Sequence, residues 1–177
     1  MAKICVFCAS SSRISESYFQ VTREMGAAIA EQGHTLVWGG GRVGLMGALA
    51  IAVQEKGGRV IGVIPEKLRI REVAYTRSDE LIVTDTMAER KTRMIDESDA
   101  FVTLAGGYGT LDEMLEVLTL RQLGYHDKPI YLVNTDGFYD SLLGFLHQLE
   151  HTGFVRETPV PLYEVVNHPH ELIGRIL

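Results

Sequence analysis

The chain has 177 residues, of which 46% are hydrophobic and 23% charged, as is typical of a soluble globular protein. Its formal net charge of −6 argues against nonspecific nucleic-acid binding, which favours a basic surface. No apolar run approaches the roughly 20 residues that a membrane-spanning helix needs, and the first residues show no convincing cleavage signal. We therefore expect a cytoplasmic protein that binds neither nucleic acid nor membrane.

Short β-rich apolar runs alternate with longer helical patterns along the chain. The predicted strands are Lys3–Ala9, Thr35–Trp38, Arg59–Ile64, Leu81–Thr84, Ala100–Leu104 and Pro129–Val133. The predicted helices are Ser15–Gln32, Val43–Lys56, Met87–Glu97, Leu111–Leu123, Tyr139–Thr152 and His170–Leu177, and Pro65–Glu80 is expected to be irregular. The alternation predicts an α/β fold, a single doubly wound Rossmann-like domain over residues 1–177 with a mostly parallel sheet flanked by helices.

The sequence GGGRVGLMG follows the second predicted strand and leads into a helix. Gly39, Gly41 and Gly44 fit G-x-G-x-x-G, a pattern in which backbone N–H groups and a helix N-terminus approach phosphate. The match is incomplete, because it follows the second strand and because Pro65 precedes the candidate acid, Glu66. A tight strand-to-helix turn explains the glycines equally well.

A second glycine loop, LAGGYGTLDEM, also follows a strand and opens a helix. Its glycines allow backbone N–H groups to turn toward one point and form an anion nest. The loop lacks the lysine of a Walker A motif, which argues against an NTPase. Thr110 and Glu113 also have the spacing of a capping box, so a purely structural role for Glu113 is an equal alternative.

The helix predicted for TMAERKTRMIDESDA carries cations beside an apolar stripe. Met87, Met94 and Ile95 form the stripe, and Arg90 and Lys91 flank its centre. Buried cations need anionic partners, which a ligand phosphate and a carboxylate from the following loop would provide. The alternative is that the two side chains pack their stems and keep their charges in water.

The cysteines and histidines are not arranged as a redox or metal site. Cys5 and Cys8 form C-x-x-C, but their offset within a strand puts them on opposite faces, so we predict two buried structural residues. His147 and His151 are one helical turn apart with no third ligand nearby. We therefore expect no metal and no other cofactor.

The segment MAERKTRMIDESDAFVTLAGGYGTLDEMLEV resembles the signature region of the Lonely Guy (LOG) family. These proteins are cytokinin riboside 5'-monophosphate phosphoribohydrolases, often mislabelled as lysine decarboxylases. The runs VFCASSS, GGGRVGLMG, GVIPEKL and QLGYHDKPIYLVNTDGFYDSLL extend the resemblance from about Ile4 to Phe154. Ala105 stands where the family has the proline of P-G-G-x-G-T, a change that affects the rigidity of the loop and removes no ligand group.

The resemblance implies hydrolysis of a nucleoside 5'-monophosphate, such as AMP or an N6-substituted AMP, to free base and ribose 5-phosphate. It implies a homodimer with Arg90 and Glu113 as the catalytic pair. The implied substrate-binding residues are Glu72, Lys91, Gly106, Gly107, Tyr108, Gly109, Thr110, Leu111, Asp112, Thr119, Gly40, Gly41 and Ser10. For Thr119, a hydroxyl bonded to its own helix backbone is an equal alternative.

These residue types suit the implied chemistry. Cleavage of a ribosyl C–N bond builds positive charge on the sugar, which a carboxylate stabilises while acting as nucleophile or as base for water. A phosphate held by N–H groups and cations fixes the sugar relative to that carboxylate. The loop therefore places anion binding and cation stabilisation at opposite ends of one ribose phosphate.

Two other functions fit parts of the pattern. A lysine decarboxylase would hold pyridoxal phosphate on a Schiff-base lysine, for which Lys91 is the candidate. A noncatalytic nucleotide-binding protein of the same fold would use Glu113 only as a cap. The helix Leu111–Leu123 is apolar on most sides, which supports a dimer that covers part of it.

Overall fold

Seven parallel strands form one sheet in the computed structural model of the chain, which describes residues 1–71, 74–155, 158, 160–172 and 174–176. The strands run in the spatial order β4-β3-β2-β1-β5-β6-β7, and every neighbouring pair is parallel. Their bounds are β1 Lys3–Phe7, β2 Thr35–Trp38, β3 Arg59–Pro65, β4 Glu80–Thr84, β5 Ala100–Thr103, β6 Ile130–Val133 and β7 Glu164–Val166.

Helices cover both faces of this sheet, as crossovers between parallel strands require. They are α1 Glu16–Glu31, α2 Gly44–Glu55, α3 Glu66–Arg71, α4 Met87–Asp96, α5 Tyr108–Gln122 and α6 Asp140–His151, with short 3-10 helices at Thr135–Gly137 and Pro169–Leu172. Helices α1 and α2 pack on one face, and α4, α5 and α6 pack on the other. The predicted doubly wound α/β fold is confirmed. No helix in the described ranges is long and apolar enough to cross a membrane.

Each face of the sheet carries its own hydrophobic cluster, because residues of a strand point alternately to its two sides. Cys8 packs in the cluster under α1 and α2, and Cys5 packs in the cluster under α4 and α5. Both thiols are free and buried. The prediction that they lie on opposite faces as structural residues is confirmed.

Three elements differ from the sequence-based expectation. The predicted helix His170–Leu177 is wrong in the described positions, because a 3-10 helix ends at Leu172 and Gly174 follows with a left-handed φ of +81°. Strand β7 was not predicted, since three residues at a sheet edge carry too little periodicity. Helix α3 occupies part of the stretch expected to be irregular, where Arg69 pairs with Glu66 one turn earlier.

The chain reverses its direction of winding at β1, which lies between β2 and β5. In open α/β sheets, ligands bind beyond the carboxyl ends of the strands at such a switch point. The segments that follow β1 and β5 meet there, because the Ala9 N–H donates to the Ala105 C=O at 3.1 Å. The second glycine loop and Ser10 therefore lie at the edge where this topology binds ligands.

Candidate active site

A buried ion pair joins α4 to α5 at this edge of the sheet. Arg90 Nη1 lies 3.0 Å from Glu113 Oε1, and about 90% of each side chain is shielded from solvent. Arg90 also donates from Nε to the Val63 C=O at 3.1 Å, at the end of β3. The pair is held rigidly, because its guanidinium is tied both to a carboxylate and to a strand backbone.

The start of α4 is fixed by a capping box that the sequence reading missed. The Thr86 hydroxyl accepts from the Glu89 N–H at 3.1 Å, and Glu89 Oε2 accepts from the N–H groups of Thr86 and Asp85. This arrangement satisfies the N–H groups of Thr86 and Glu89 and sets the rotation of the helix. Arg90 follows directly, so the box determines where its side chain points. The signal was present in the sequence as T-M-A-E.

The apolar stripe predicted on α4 is only partly correct. Met94 is fully buried, whereas 43% of the Met87 surface is exposed. Arg90 takes the buried position one turn before Met94, with 8% exposure. The alternative in which its charge stays in water is therefore wrong for Arg90, because Glu113 provides the anionic partner that a buried cation needs.

Gly39 leaves the space that the Arg90 guanidinium fills. A Cβ atom built on Gly39 would lie 2.1 Å from Arg90 Nη2, far inside van der Waals contact. A side chain at position 39 would therefore displace the guanidinium from its place beside Glu113, which explains a glycine here without a phosphate. The sequence pattern marked this residue, but it gave no sign of its partner.

The first glycine loop packs the start of α2 against the segment that follows β1, and it is not an open anion site. The N–H groups of Leu45 and Met46, which open α2, donate to the Ala9 C=O at 3.0 and 3.4 Å. Gly44 has a left-handed φ of +66°, and a Cβ there would lie 2.8 Å from the Ser10 carbonyl oxygen. A helix start whose N–H groups are already bonded has little capacity left for an anion. The tight-turn interpretation of this loop is the better one.

Gly40 and Gly41 tie the same loop to the segment before β4. The Gly40 C=O accepts from the Tyr75 N–H at 2.9 Å, and Gly41 forms an isolated antiparallel bridge with Ala74. Gly40 has a φ of +71°, a conformation that favours glycine. Both residues thus shape the backbone beside Arg90, and their contact with substrate stays a prediction.

Helix α5 begins earlier than expected, which removes the capping box at Thr110. Its N-cap is Gly107, which has no side chain with which to cap the helix. Thr110 instead lies in the first turn, buried over Gly106, where a Cβ would come 2.1 Å from its hydroxyl oxygen. Glu113 lies well inside the helix and faces Arg90. The capping interpretation of Glu113 is therefore wrong.

The first turn of α5 presents free donors at the ligand edge of the sheet. In the described part of the chain, the N–H groups of Tyr108, Gly109 and Thr110 have no acceptor. Among the residues that the structure describes, none has an atom within 4 Å of a Cβ built on Gly107 or Gly109, and the Tyr108 side chain is 95% exposed. Unpaired N–H groups at a helix N-terminus, together with the helix dipole, are suited to an anion such as phosphate.

A second ion-pair cluster links α4 to α5 beside the buried pair. Lys91 Nζ lies 3.0 Å from Asp112 Oδ2 and 2.7 Å from Glu116 Oε2. Hydrogen bonding to Glu116 raises the pKa of Lys91, and Asp112 adds to the effect. The ammonium is therefore held charged between two carboxylates, and it connects the helices that carry Arg90 and Glu113.

The environment of Glu113 favours its protonated form more than water does. Burial raises the pKa of this carboxyl above its ordinary value of 4.5, and Arg90 partly opposes the shift. The nearby Asp112 carboxylate acts in the same direction as burial. A carboxylate with a raised pKa is a stronger base at the pH where it still ionises, which suits general-base work.

Comparison with known proteins decides the family. The profile described as "Possible lysine decarboxylase" matches residues 46–176. A cytokinin riboside 5'-monophosphate phosphoribohydrolase of Mycobacterium tuberculosis is 49% identical over 165 residues, which cover 93% of this chain and 88% of that protein. The Arabidopsis thaliana protein of the same name, LOG2, is 46% identical over 88% of this chain and 73% of its own length. The chain belongs to the LOG family.

Solved structures that resemble this LOG family member show its fold. The molybdenum cofactor carrier protein of Chlamydomonas reinhardtii has a TM-score of 0.77 at 23% identity and covers 99% of this chain and 95% of its own. The molybdenum cofactor binding protein of Rippkaea orientalis has a TM-score of 0.75 at 23% identity, covering 99% and 94%. At this identity the likeness establishes the arrangement of strands and helices, not the ligand.

Several residues that the LOG resemblance implies lie outside the buried centre. Thr119 is exposed and its hydroxyl donates to the Leu115 C=O at 2.7 Å, which matches the backbone-bonding alternative. Leu111 is half-buried against the cluster under α5. Ser10 is exposed beside Gly44. Glu72 lies outside the described residues. The substrate contacts of these residues stay predictions.

The two histidines of α6 line a surface groove away from the LOG signature residues. His147 and His151 share with Glu150 and Tyr163 a groove of about 630 Å³. Within the residues that the structure describes, no three histidine, cysteine or carboxylate side chains meet at distances that would hold a metal ion.

Proposed function

We propose that this chain hydrolyses the N-glycosidic bond of a nucleoside 5'-monophosphate, releasing free base and ribose 5-phosphate. The observation that carries the proposal is the buried Arg90–Glu113 pair beside the open first turn of α5. The names of relatives that are 46% and 49% identical to the chain over the aligned residues support the same reaction, with a cytokinin nucleotide as substrate.

The first turn of α5 is the proposed phosphate subsite. The free N–H groups of Tyr108, Gly109 and Thr110 would donate to phosphate oxygens, and Gly107 and Gly109 would let the ligand approach the backbone. Binding of the phosphate, which does not react, supplies free energy that positions the reacting ribose. The phosphate would thus set the position of the ribose relative to Glu113.

Glu113 is the proposed group that faces the developing sugar cation. As the C–N bond breaks, its electron pair goes to the base nitrogen, which gains a proton, and water oxygen bonds to the anomeric carbon. A buried carboxylate stabilises the positive charge strongly and can also take a proton from the water. Arg90 would hold the carboxylate in place and keep it ionised, because it lies at 3.0 Å.

Lys91 is a poor candidate for the Schiff-base lysine of a decarboxylase. A Schiff base forms through a neutral amine, and enzymes lower the lysine pKa to obtain it. Here Glu116 and Asp112 raise the pKa of Lys91. We assign Lys91 and Asp112 to the border of the nucleotide site, where the pair also holds α4 against α5.

We infer that two copies associate through the outer face of α4 and α5. Leu115 and Leu123 are 41% and 65% exposed on α5 and its C-cap, and Met87 at the start of α4 is 43% exposed. Exposed apolar side chains of this size on two neighbouring helices are typical of an interface between subunits. Light scattering during size-exclusion chromatography tests this, and a mass near the chain mass of 19.7 kDa would contradict it.

We also infer that residues 1–177 form one Rossmann-like domain, since all seven strands belong to one sheet. The cytoplasm is the compartment that we propose. Its reducing conditions agree with two cysteines that are free and buried.

The experiment that tests this function is base release from a panel of nucleoside 5'-monophosphates with different bases. We expect free adenine from AMP and the free N6-substituted base from an N6-substituted AMP, measured by liquid chromatography. Calorimetric binding of every nucleotide without release of any base would refute hydrolysis and indicate a noncatalytic nucleotide-binding protein.

A further inference from the structure

Tyr139 lies in NTDGFYD, a part of the sequence that the proposed reaction does not use. It is 2% exposed, and its hydroxyl donates to the Leu104 C=O at 2.8 Å. Leu104 follows β5 and precedes Ala105 and Gly106, the start of the second glycine loop. A side chain beyond β6 therefore reaches across to the backbone that leads into the proposed phosphate subsite.

The position of Tyr139 is itself fixed from the end of β6. Its N–H donates to Asn134 Oδ1 at 2.8 Å, and Asn134 Nδ2 donates to Asp140 Oδ1 at 2.7 Å. Between them, Asp136 and Gly137 adopt left-handed φ angles of 52° and 70°. A non-glycine residue in this conformation is a sign of local constraint. The turn aims the Tyr139 ring at the loop after β5.

The Tyr139 hydroxyl acts as a donor throughout the working pH range. Burial raises the pKa of its phenol well above the ordinary value, and the nearby N–H of Gly106 opposes the shift only in part. The proton therefore remains available to the Leu104 carbonyl. Buried polar groups are costly unless paired, so the contact fixes the position of this carbonyl.

Ala105 makes this contact important in the present chain. It stands where the LOG pattern has a proline, whose ring would limit the backbone at the start of the loop. The Ala105 C=O accepts from the Ala9 N–H, but within the described residues the Ala105 N–H has no acceptor. Without the proline ring, hydrogen bonds hold the start of the loop: the Leu104 N–H donates to the Phe7 C=O at 2.9 Å, and the Leu104 and Ala105 carbonyls accept from Tyr139 and Ala9.

We propose that Tyr139 is a positioning residue, which holds Leu104–Gly106 so that the N–H groups after Gly107 face the phosphate. The inference rests on the proposed function for its catalytic consequence. Its structural part stands separately, because the order of a loop is measurable without substrate.

The test compares Tyr139→Phe with Tyr131→Phe. Each change removes a buried tyrosine hydroxyl that donates to a backbone carbonyl, since Tyr131 donates to the Arg175 C=O at 3.3 Å, far along the chain from the loop. Amide hydrogen exchange at Leu104 and Leu111, whose N–H groups donate to the Phe7 and Gly107 carbonyls on either side of the loop, should be about tenfold faster in Tyr139→Phe and unchanged in Tyr131→Phe. Unchanged exchange in Tyr139→Phe would overturn the proposal whether or not the protein hydrolyses AMP.

Ala105→Pro in the Tyr139→Phe protein provides the second arm. Proline removes no described hydrogen bond at 105, so we expect it to slow exchange again and to restore a KM for AMP that Tyr139→Phe has raised about tenfold. A merely structural tyrosine would lower the melting temperature without this rescue, which would overturn the proposal. If the wild-type protein releases no base but exchange is faster in Tyr139→Phe, the proposed function is refuted and the positioning role of Tyr139 stands.

Discussion

Replacing Glu113 by glutamine is the perturbation that separates its charge from its shape. The amide keeps an oxygen that can accept from Arg90, which lies 3.0 Å from the carboxylate and is also tied to the Val63 C=O. Alanine would be a poorer choice, because a buried arginine without a partner costs about 3–5 kcal/mol of stability. We expect Glu113→Gln to lose activity and to remain folded.

The magnitude of the loss follows from the burial of the carboxylate. A unit charge about 4 Å from a sugar cation contributes roughly 4 kcal/mol at an effective dielectric constant of about 20. Loss of the charge, with some compensation by the amide dipole, should lower kcat by a factor on the order of 100 to 1000. The free energy of unfolding should change by about 1 kcal/mol or less, which corresponds to roughly 2–4 °C in melting temperature.

The assay is base release from AMP under saturating substrate, with thermal unfolding measured on the same preparations. Glu164→Gln is the matched control, because Glu164 pairs with Arg175 at 3.1 Å on the surface and should keep full activity. Arg90→Ala should be as inactive as Glu113→Gln, whereas Asp112→Asn should lose less, since the Asp112 side chain is 57% exposed. Full turnover in a folded Glu113→Gln protein would refute a catalytic role for the carboxylate.

The other predictions concern pH, substrate, metal and the space around Arg90. Because burial raises the pKa of Glu113 above 4.5, kcat/KM should fall as pH drops through that raised pKa, and the limb should be absent in Glu113→Gln. The same shift means that wild type loses stability relative to Glu113→Gln as pH rises from 4.5 through the folded-state pKa. A difference in melting temperature between the two proteins that stays constant over that pH range would contradict the assignment. Adenosine should have a kcat/KM at least about a hundredfold below that of AMP, since it lacks the phosphate that positions the ribose; equal values would contradict the phosphate subsite. Dialysis against EDTA should leave AMP hydrolysis unchanged, and a loss restored by a divalent ion would show that a metal takes part. Gly39→Ala should lower kcat about as far as Arg90→Ala, because its Cβ would lie 2.1 Å from Arg90 Nη2, and wild-type kinetics would show that the pair tolerates displacement.

Sequence patterns were enough to predict six strands and the doubly wound fold, since buried apolar runs alternate with helical patterns along the chain. It failed where elements are short or where a turn decides the end, as at β7 and at Gly174. Local propensity also placed the start of α5 at Leu111 with Thr110 as its cap, because T-x-x-E is a strong cap signal. The glycine at 107 begins the helix instead.

The candidate site was predictable as a set of residues but not as an arrangement. The sequence marked Arg90 and Glu113 through a family resemblance, and it left a cap and a water-exposed cation as equal alternatives. Only the tertiary structure brings α4 against α5 and buries the pair. The contact between Gly39 and Arg90, and the one between Tyr139 and Leu104, join distant segments and leave no local pattern.

The measurement that tests the central claim most directly is the stoichiometry of products from an N6-substituted AMP in phosphate-free buffer. We predict that the wild-type protein releases free base and ribose 5-phosphate in equal amounts, and that Glu113→Gln releases neither at a comparable rate. A wild-type protein that binds the nucleotide at saturation and returns it unchanged would contradict the account.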